Sequence, residues 1–129
     1  SGVAPSLTIE GQGMPLFPDA QIQVLHIVQE ALSNVRKHAH ASQVSLKVQQ
    51  QPAWRFEVQD DGVGFALDED RLDETHVGLR IMRERAQTIG ARLDIVSAPG
   101  KGSSVILTLP PNVHPVSSLA STVTTSIEA

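Results

Sequence analysis

Asp60-Asp61-Gly62-Val63-Gly64-Phe65 is the stretch that decides how this chain is organised. It follows the apolar alternation of Trp54, Phe56 and Val58, which predicts a strand that runs directly into a glycine turn. Glycines two positions apart allow positive φ and remove Cβ atoms, so backbone N–H groups can face an anion beside the carboxylate at the strand end. By themselves the six residues fit an ordinary turn better, because short motifs often match by chance.

Length and composition restrict the class of protein. The 129 residues suit one domain that is large enough for two packed layers. The absence of cysteine excludes disulfides and thiolate chemistry and is compatible with a reducing compartment. No apolar run reaches the length of a membrane span, and no signal-peptide pattern is present. A net charge of −4 without a basic block argues against a nucleic-acid partner.

The periodicities predict alternating strands and helices. In order, they are a strand at 6–10, a helix at 18–40, a hairpin of strands at 43–50 and 53–60, a second helix from His76 to a cap at Gly90, and strands at 92–97 and 103–109. We expect residues 1–5 to be disordered or a cloning remnant, and residues 6–111 to form the domain. Residues 112–129 are expected to be a disordered tail.

The first helix has two stripes of interest. The apolar stripe, predicted to face the core, is Ile22, Leu25, Val28, Leu32, Val35 and Ala39. Glu30, Asn34 and Lys37 form a polar stripe at i, i+4 and i+7. A solvated helix face produces the same trio. The functional alternative is that Asn34 ligates a hard cation, Glu30 holds a metal-bound water or takes a proton, and Lys37 neutralises phosphate.

An acidic segment precedes the second helix. Residues 66–76 predict a loop, which is either a mobile lid or a solvated acidic loop without a role in binding. The following helix is predicted to begin at His76-Val77-Gly78-Leu79 and to bury Leu79, Met82, Ala86 and Ile89. Gly78 near a helix N-terminus is a natural seat for an anion, since unpaired N–H groups and the helix dipole favour negative charge.

Several motifs occur together across residues 6–110. They are Gln29-Glu30-Ala31-Leu32-Ser33-Asn34 with Lys37-His38-Ala39, Asp60-x-Gly62-x-Gly64, Gly78-Leu79-x-x-Met82-x-x-Arg85-Ala86, and Gly100-x-Gly102. In this order the chain resembles the ATP-binding catalytic domain of bacterial sensor histidine kinases, within the GHKL superfamily that includes gyrase and MutL ATPases. The residues within these motifs are similar to those of the nitrate/nitrite sensor kinases. The resemblance implies a Bergerat-type fold, a two-layer α/β sandwich whose mixed, mostly antiparallel sheet is covered on one face by helices.

The resemblance also implies roles for single residues. Asp60 would accept a hydrogen bond from the exocyclic amine of adenine. Asn34 would bind Mg²⁺, and Glu30 would orient a water in the metal's shell or assist proton movement. The other residues implied in nucleotide binding are Lys37 and His38 near the phosphates, Gly62 and Gly64 where base and phosphates approach, Gly78 and Leu79 on the lid side, Gly102 at the pocket floor, and Ser103 with its hydroxyl.

Two positions depart from the family pattern. Asp61 stands where the family usually has Asn, which adds a negative charge beside the nucleotide; this charge could weaken ATP binding, and the sequence leaves the size of the effect open. Ser103 stands where Thr is frequent and keeps the hydroxyl.

The implied function is to bind Mg-ATP and donate its γ-phosphoryl group to a histidine on a separate dimerisation domain, with a response regulator as the indirect partner. None of the five histidines stands in an acceptor context, so we expect this chain not to phosphorylate itself. The domain alone is expected to be monomeric, and the full-length protein a homodimer at the inner membrane with this domain in the cytoplasm. The alternatives are a related ATPase or anti-sigma-type serine kinase, or a non-catalytic nucleotide-binding interaction module, which Asp61 and the acidic loop leave open.

Overall fold

A computed structural model describes residues 4–10, 16–50, 52–68 and 70–111. The described elements are β1 (Ala4–Glu10), α1 (Pro18–Asn34), a π-helical turn (Val35–Ala39), β2 (Gln43–Gln49), β3 (Arg55–Asp60), α2 (Glu74–Thr88), β4 (Arg92–Ser97) and β5 (Ser103–Thr108). Each predicted strand and helix is present, with bounds that differ by a few residues. No helix in these ranges combines the length and apolar character needed to cross a membrane.

The strands form one sheet in the order β1-β2-β3-β5-β4. β1 is parallel to β2, and the other neighbours are antiparallel. The register sets Asp60, at the end of β3, opposite Val44 on one side and Ser103 on the other. The predicted mixed, mostly antiparallel sheet is therefore confirmed, and its central strand carries Asp60 to the edge where the glycine turn begins.

One face of the sheet is apolar and is covered by the helices. The buried residues that it contributes are Val44, Val48, Phe56, Val58, Leu93, Ile95, Val105 and Leu107. From the helices, Ile27 and Met82 are almost completely buried against this face. Each such side chain contributes about 1.5–3 kcal/mol by leaving water. The predicted two-layer α/β sandwich is thereby confirmed.

The predicted apolar stripe of α1 is wrong in its first half. Ile22 and Leu25 are 53% and 56% exposed. The buried residues of α1 are instead Ala20, Val24, Ile27 and Ala31. Both sets recur at helical steps, and neighbouring positions differ by about 100° around the axis. The set with smaller residues packs inward, which lets the helix lie close to the sheet.

The α-helix ends earlier than predicted. It stops at Asn34 and passes into the π-helical turn, and His40 then adopts a left-handed conformation with φ 50°. The predicted helix to His40 was therefore right about helical backbone up to Ala39 but missed the change in its winding. A π-helical turn is wider than an α-helical one, so residues after Asn34 do not follow the spacing used to align Lys37 with Glu30.

The second helix begins earlier than predicted. Asp73 is its N-cap, and the Asp73 side chain accepts a hydrogen bond of 2.9 Å from the backbone N–H of His76. Gly78 consequently lies inside the helix rather than at its N-terminus, and it is buried. The predicted anion seat at Gly78 is therefore wrong, because the N–H groups of an inner turn are already bonded within the helix. Leu79, Met82 and Ala86 are buried as predicted.

The domain boundary at the start of the chain also moves. β1 begins at Ala4, so residues 4 and 5, which were predicted to precede the domain, belong to the sheet. Residues 1–3 and the predicted tail at 112–129 lie outside the described residues.

Candidate functional site

A cavity of about 240 Å³ opens between the C-terminal part of α1, the end of β3 and the start of α2. Its lining residues are Ala31, Asn34, Val35, His38, Ala39, Val58, Asp60, Gly64, Phe65, Arg71, Asp73, Glu74, Thr75, His76, Leu79, Ser103 and Val105. Nine of these seventeen residues are polar or charged and the other eight are apolar or glycine, so the cavity offers both an apolar surface and several polar groups to a small molecule. The cavity joins Asp60, at the end of β3, to Asn34 on the polar stripe of α1.

Asp60 is a buried carboxylate held in one orientation. It is 7% exposed. Its Oδ1 accepts a hydrogen bond of 2.7 Å from the N–H of Gly62, and its Oδ2 accepts one from the hydroxyl of Ser103. Each carboxylate oxygen has a second lone pair, so a donor on a ligand in the cavity can still be accommodated. The register between β3 and β5 produces this arrangement, because it sets the two residues opposite each other.

The glycines near Asp60 serve close packing of the backbone. A Cβ on Gly62 would overlap the carbonyl oxygen of Ala39, and one on Gly102 would overlap the carbonyl oxygen of Asp60. Gly64 has φ +66°, and a Cβ there would overlap the carbonyl oxygen of Ala98. Only Gly64 of the three lines the cavity. The glycines thus bring the turn, the π-helical turn and the β4–β5 connection together around the strand end.

Asp61 points away from the cavity. Its carboxylate accepts hydrogen bonds from the backbone N–H and the hydroxyl of Ser42 and from the N–H of Gln43. These bonds, with the Ser42 hydroxyl first, lower the pKa of the Asp61 carboxyl. Asp61 was expected to add charge beside the nucleotide, but it is not among the cavity's lining residues. Its position instead ties the end of β3 to the start of β2.

Glu74 contacts Lys37 and His38, the two residues predicted to lie near the phosphates. Its Oε2 lies 3.1 Å from Nζ of Lys37, and its Oε1 lies 3.3 Å from Nε2 of His38. The Lys37 ammonium is the main cause that lowers the pKa of the Glu74 carboxyl. His38 lines the cavity, whereas Lys37 does not. The first turn of α2 is thereby linked to the π-helical turn that follows α1, across the mouth of the cavity.

Glu30 lies one turn before Asn34 and faces α2. A Cβ on Gly78 would overlap its Oε2 atom. Asn34 lines the cavity, but Glu30 does not. The absence of a side chain at Gly78 is therefore what leaves room for the Glu30 carboxylate between the two helices.

The lid side of the cavity contains residues that the sequence analysis did not select. We use the name lid loop for residues 66–73, of which residue 69 is not described. Arg71 lies 3.0 Å from Asp73, and the ring of His76 lies 2.8 Å from Asp73. The backbone N–H and ring of His76, and then Arg71, lower the pKa of Asp73 to about 2. An Asp three residues before His76 fits an N-cap pattern, and this signal could have identified the start of α2.

The structure brings together six of the eleven predicted site residues in the cavity wall. They are Asn34, His38, Asp60, Gly64, Leu79 and Ser103. Five lie close by but outside the wall: Glu30, Lys37, Gly62, Gly78 and Gly102. Additional lining residues from the lid side are Phe65, Arg71, Asp73, Glu74, Thr75 and His76.

Comparison with known families decides what kind of domain carries this cavity. Residues 19–113 match the family described as histidine kinase-, DNA gyrase B- and HSP90-like ATPase. The chain belongs to this family. The predicted superfamily is thereby confirmed, and so is a histidine kinase ATPase fold.

Curated relatives of this ATPase domain are sensor kinases. The chain is 36% identical over 96 residues to the signal transduction histidine-protein kinase/phosphatase DegS of Brevibacillus brevis, covering 73% of this chain and 24% of DegS. It is 38% identical over 103 residues to the nitrate/nitrite sensor protein NarQ of Escherichia coli, covering 77% of this chain and 18% of NarQ. The chain therefore spans about a quarter or less of the length of these relatives.

Solved structures of histidine kinases share the fold of this ATPase domain. The histidine kinase domain of the blue-light-activated kinase EL346 from Erythrobacter litoralis aligns with a TM-score of 0.68 and 26% identity, over 85% of this chain and 52% of that chain. The histidine kinase AdeS of Acinetobacter baumannii aligns with a TM-score of 0.68 over 86% of this chain and 55% of that chain. AdeS is 18% identical and supports the fold alone.

Proposed function

We propose that this chain is the catalytic and ATP-binding domain of a two-component sensor histidine kinase. It binds Mg-ATP in the cavity and donates the γ-phosphoryl group to a histidine on a separate dimerisation domain. The observation that carries the proposal is the buried, doubly hydrogen-bonded Asp60 carboxylate in a cavity that Asn34 also lines. The kinase relatives agree with it.

Asp60 is the proposed receptor for adenine. A carboxylate accepts hydrogen bonds only, so it suits the exocyclic amine of adenine and disfavours a carbonyl in that position. Ser103 and Gly62 hold both carboxylate oxygens, and this reduces the cost of orienting the acid when the base binds. Gly64, Leu79 and the apolar wall at Val58 and Val105 would contact the base and sugar.

The residues near Asn34 fit a magnesium ion that is bound mainly through a nucleotide. Mg²⁺ usually takes one or two protein oxygens and completes its shell with waters and phosphates. Asn34 lines the cavity and would supply one such oxygen, and Glu30, one turn earlier on α1 and outside the cavity wall, would hold a water of the metal's shell. Among the described residues there is no group of three acidic or histidine side chains for a protein-only metal site. When bound, the ion would neutralise phosphate charge.

Lys37 and His38 are the residues proposed to lie beside the phosphates, and Lys37 supplies a positive charge there. Both side chains contact Glu74, which holds them together at the mouth of the cavity. Transfer of a phosphoryl group depends mostly on placement and neutralisation of charge, and these groups would supply both. Gly62, Gly78 and Gly102 would act indirectly, through the close packing described above.

The first test is a calorimetric titration of the chain with ATP and ADP, with and without Mg²⁺. Asp60→Asn should weaken the binding of both nucleotides by about tenfold or more, because a hydrogen bond to a buried charged group is worth about 1.5–3 kcal/mol. The matched control is Asp94→Asn, an acid on β4 that pairs with Arg92 away from the cavity. Unchanged affinity in the Asp60 variant would refute the adenine assignment.

The second test separates the role of Asn34 in binding Mg²⁺ from any role in binding the nucleotide itself. In Asn34→Ala, the Kd for ADP without metal should stay within about threefold of the wild-type value. Added Mg²⁺ should no longer raise the affinity for ATP. With an acceptor domain supplied, this variant should not transfer phosphate. Full transfer would refute the metal role of Asn34.

The partners follow from the same proposal. The histidine-bearing dimerisation domain of the full-length kinase is the direct partner, and a response regulator is the indirect one. We propose that this domain alone is monomeric and lies on the cytoplasmic side of an inner-membrane homodimer. The interaction-module alternative loses one of its two arguments, since Asp61 is engaged by Ser42 and Gln43 instead of lining the cavity.

A further inference from the structure

His76 is held between two groups that can only accept hydrogen bonds. Its Nδ1 lies 2.8 Å from a carboxylate oxygen of Asp73, and its Nε2 lies 2.7 Å from the carbonyl oxygen of Ala66. A neutral imidazole carries one N–H and can satisfy only one of these acceptors, whereas the imidazolium form satisfies both. The ring is only 6% exposed, so water cannot readily replace a missing bond.

The contacts of His76 join the two ends of the lid loop. Ala66 begins the loop, and Asp73 ends it as the N-cap of α2. The Phe65 ring packs edge-on against the imidazole, with 5.6 Å between ring centroids. Because Phe65, Asp73 and His76 all line the cavity, these bonds define the wall opposite α1.

We propose that His76 is a positioning residue that fixes the lid-side wall of the nucleotide cavity, as an imidazolium donating to both Asp73 and Ala66. The proposal rests on the proposed function for its effect on nucleotide, but not for the state of the ring. Loss of one ring proton removes one of the two bonds and loosens the loop. Rising pH is therefore expected to weaken the wall and, with it, nucleotide binding.

Other ionisable groups surround the ring. Those that line the cavity with it are His38, Asp60, Arg71, Asp73 and Glu74. A smaller adjoining cavity that His76 also lines adds Asp68, Arg80 and Arg83. Asp73 is the group of this set that is bonded to the ring, and its carboxylate is the natural counter-charge of an imidazolium.

The protonation state of the His76 ring can be measured without nucleotide. At about pH 6.5 a free imidazole is half protonated. In ¹⁵N-labelled chain at that pH, we expect NMR spectra of the ring to show both nitrogens of His76 protonated in full. Asp73→Asn keeps an N-cap oxygen but removes the counter-charge, so it should reduce this protonation. A singly protonated ring in the wild-type chain, with the lid-loop amides protected from hydrogen exchange, would overturn the proposal.

The consequence for nucleotide is tested by Kd measurements with Mg-ATP and Mg-ADP. His76→Phe keeps a ring beside Phe65 but donates nothing, and we expect about three- to tenfold weaker binding and faster exchange in the lid loop. His76→Gln keeps one donor and should restore part of the affinity. The control is His26→Gln, on the exposed side of α1, which should bind like the wild type.

The pH profile separates positioning from mere packing. Wild-type affinity should decrease from about pH 6 to pH 8 by more than that of His76→Phe, and comparing the two chains removes the pH effects that they share, including that of the phosphates. Equal profiles, or equal affinities in a folded His76→Phe chain, would overturn the role at the cavity. If the wild type binds no nucleotide, the proposed function fails, while the ring and exchange measurements still decide the state of His76.

Discussion

Gly78 on α2 leaves the space that the Glu30 carboxylate on α1 occupies, since a Cβ at Gly78 would overlap Oε2 of Glu30. The two helices therefore meet at a glycine, not at a pair of interlocking side chains. Glu30 immediately precedes the buried Ala31 and lies one turn before Asn34. A substitution at Gly78 on α2 can therefore displace the Glu30 carboxylate, which lies one turn before the proposed metal ligand Asn34.

Gly78→Ala should alter function more than stability. The overlapped atom is the end of a flexible side chain, so Glu30 can rotate away. Alanine also favours an inner helix position over glycine by about 1 kcal/mol, which offsets part of the crowding. We expect the free energy of unfolding in urea to stay within about 1 kcal/mol of the wild type. Phosphotransfer to a supplied acceptor domain should fall severalfold, and an unchanged rate would argue against any role for Glu30.

Gly62→Ala should show the opposite behaviour. Its new Cβ would overlap a backbone carbonyl, that of Ala39, which cannot rotate away. The N–H of Val63 also donates to this carbonyl at 2.8 Å, so a displacement would disturb two contacts. We expect a loss of about 1–3 kcal/mol in the free energy of unfolding. Gly100→Ala is a useful comparison, because it meets no atom within 4 Å and carries only the strain of φ +81°.

Asp73→Asn should change the response of stability to acid. The folded-state pKa of Asp73 is lowered from 3.8 to about 2, first by the backbone N–H of His76. A depressed carboxyl pKa stabilises the fold above the unfolded-state value, and this contribution is lost as pH falls from about 3.8 to 2. The stability difference between wild type and variant should therefore shrink over that range in urea titrations. A difference that is constant with pH would contradict the assigned charge contact.

Glu74→Gln should strengthen nucleotide binding. The variant frees Lys37 from an exposed ion pair, removes the carboxylate that lies 3.3 Å from His38, and takes away a negative charge at the mouth of the cavity. Exposed pairs are worth up to about 1 kcal/mol, so we expect a two- to fivefold lower Kd for ATP at low salt and a smaller effect at high salt. Glu84→Gln, an exposed acid on α2 away from the cavity wall, is the control. Weaker binding in Glu74→Gln would indicate that Glu74 helps to hold the nucleotide.

Short-range pattern was a reliable guide to element type and a poor guide to orientation. Alternation located β3 and delivered Asp60 to its end, because side chains alternate between the faces of a strand. For α1, two apolar sets fit the same helical period, but Ile22 and Leu25 are exposed whereas the set Ala20, Val24, Ile27 and Ala31 is buried. Packing of the helix against the sheet decides between such sets.

The start of α2 shows a similar limit. The acidic run around Asp73 fits a loop by composition, yet Asp73 caps the helix through a local hydrogen bond. Glu74 and Thr75, which the composition predicts to lie in the loop, consequently belong to α2 and line the cavity. The sequence around Asp73 fits both a loop and an N-cap, and the hydrogen bond from the His76 N–H decides for the cap.

The sequence by itself determined the order of strands and helices, the acid at the end of β3 and the family of the domain. These depend on periodicity and on the spacing of a few residues along the chain. Only the tertiary structure decided that Asp61 faces Ser42, that Gly78 makes room for Glu30 and that His76 lies between two acceptors. Such contacts depend on how one element rotates and docks against another, and packing and hydrogen-bond satisfaction across the whole fold set that rotation.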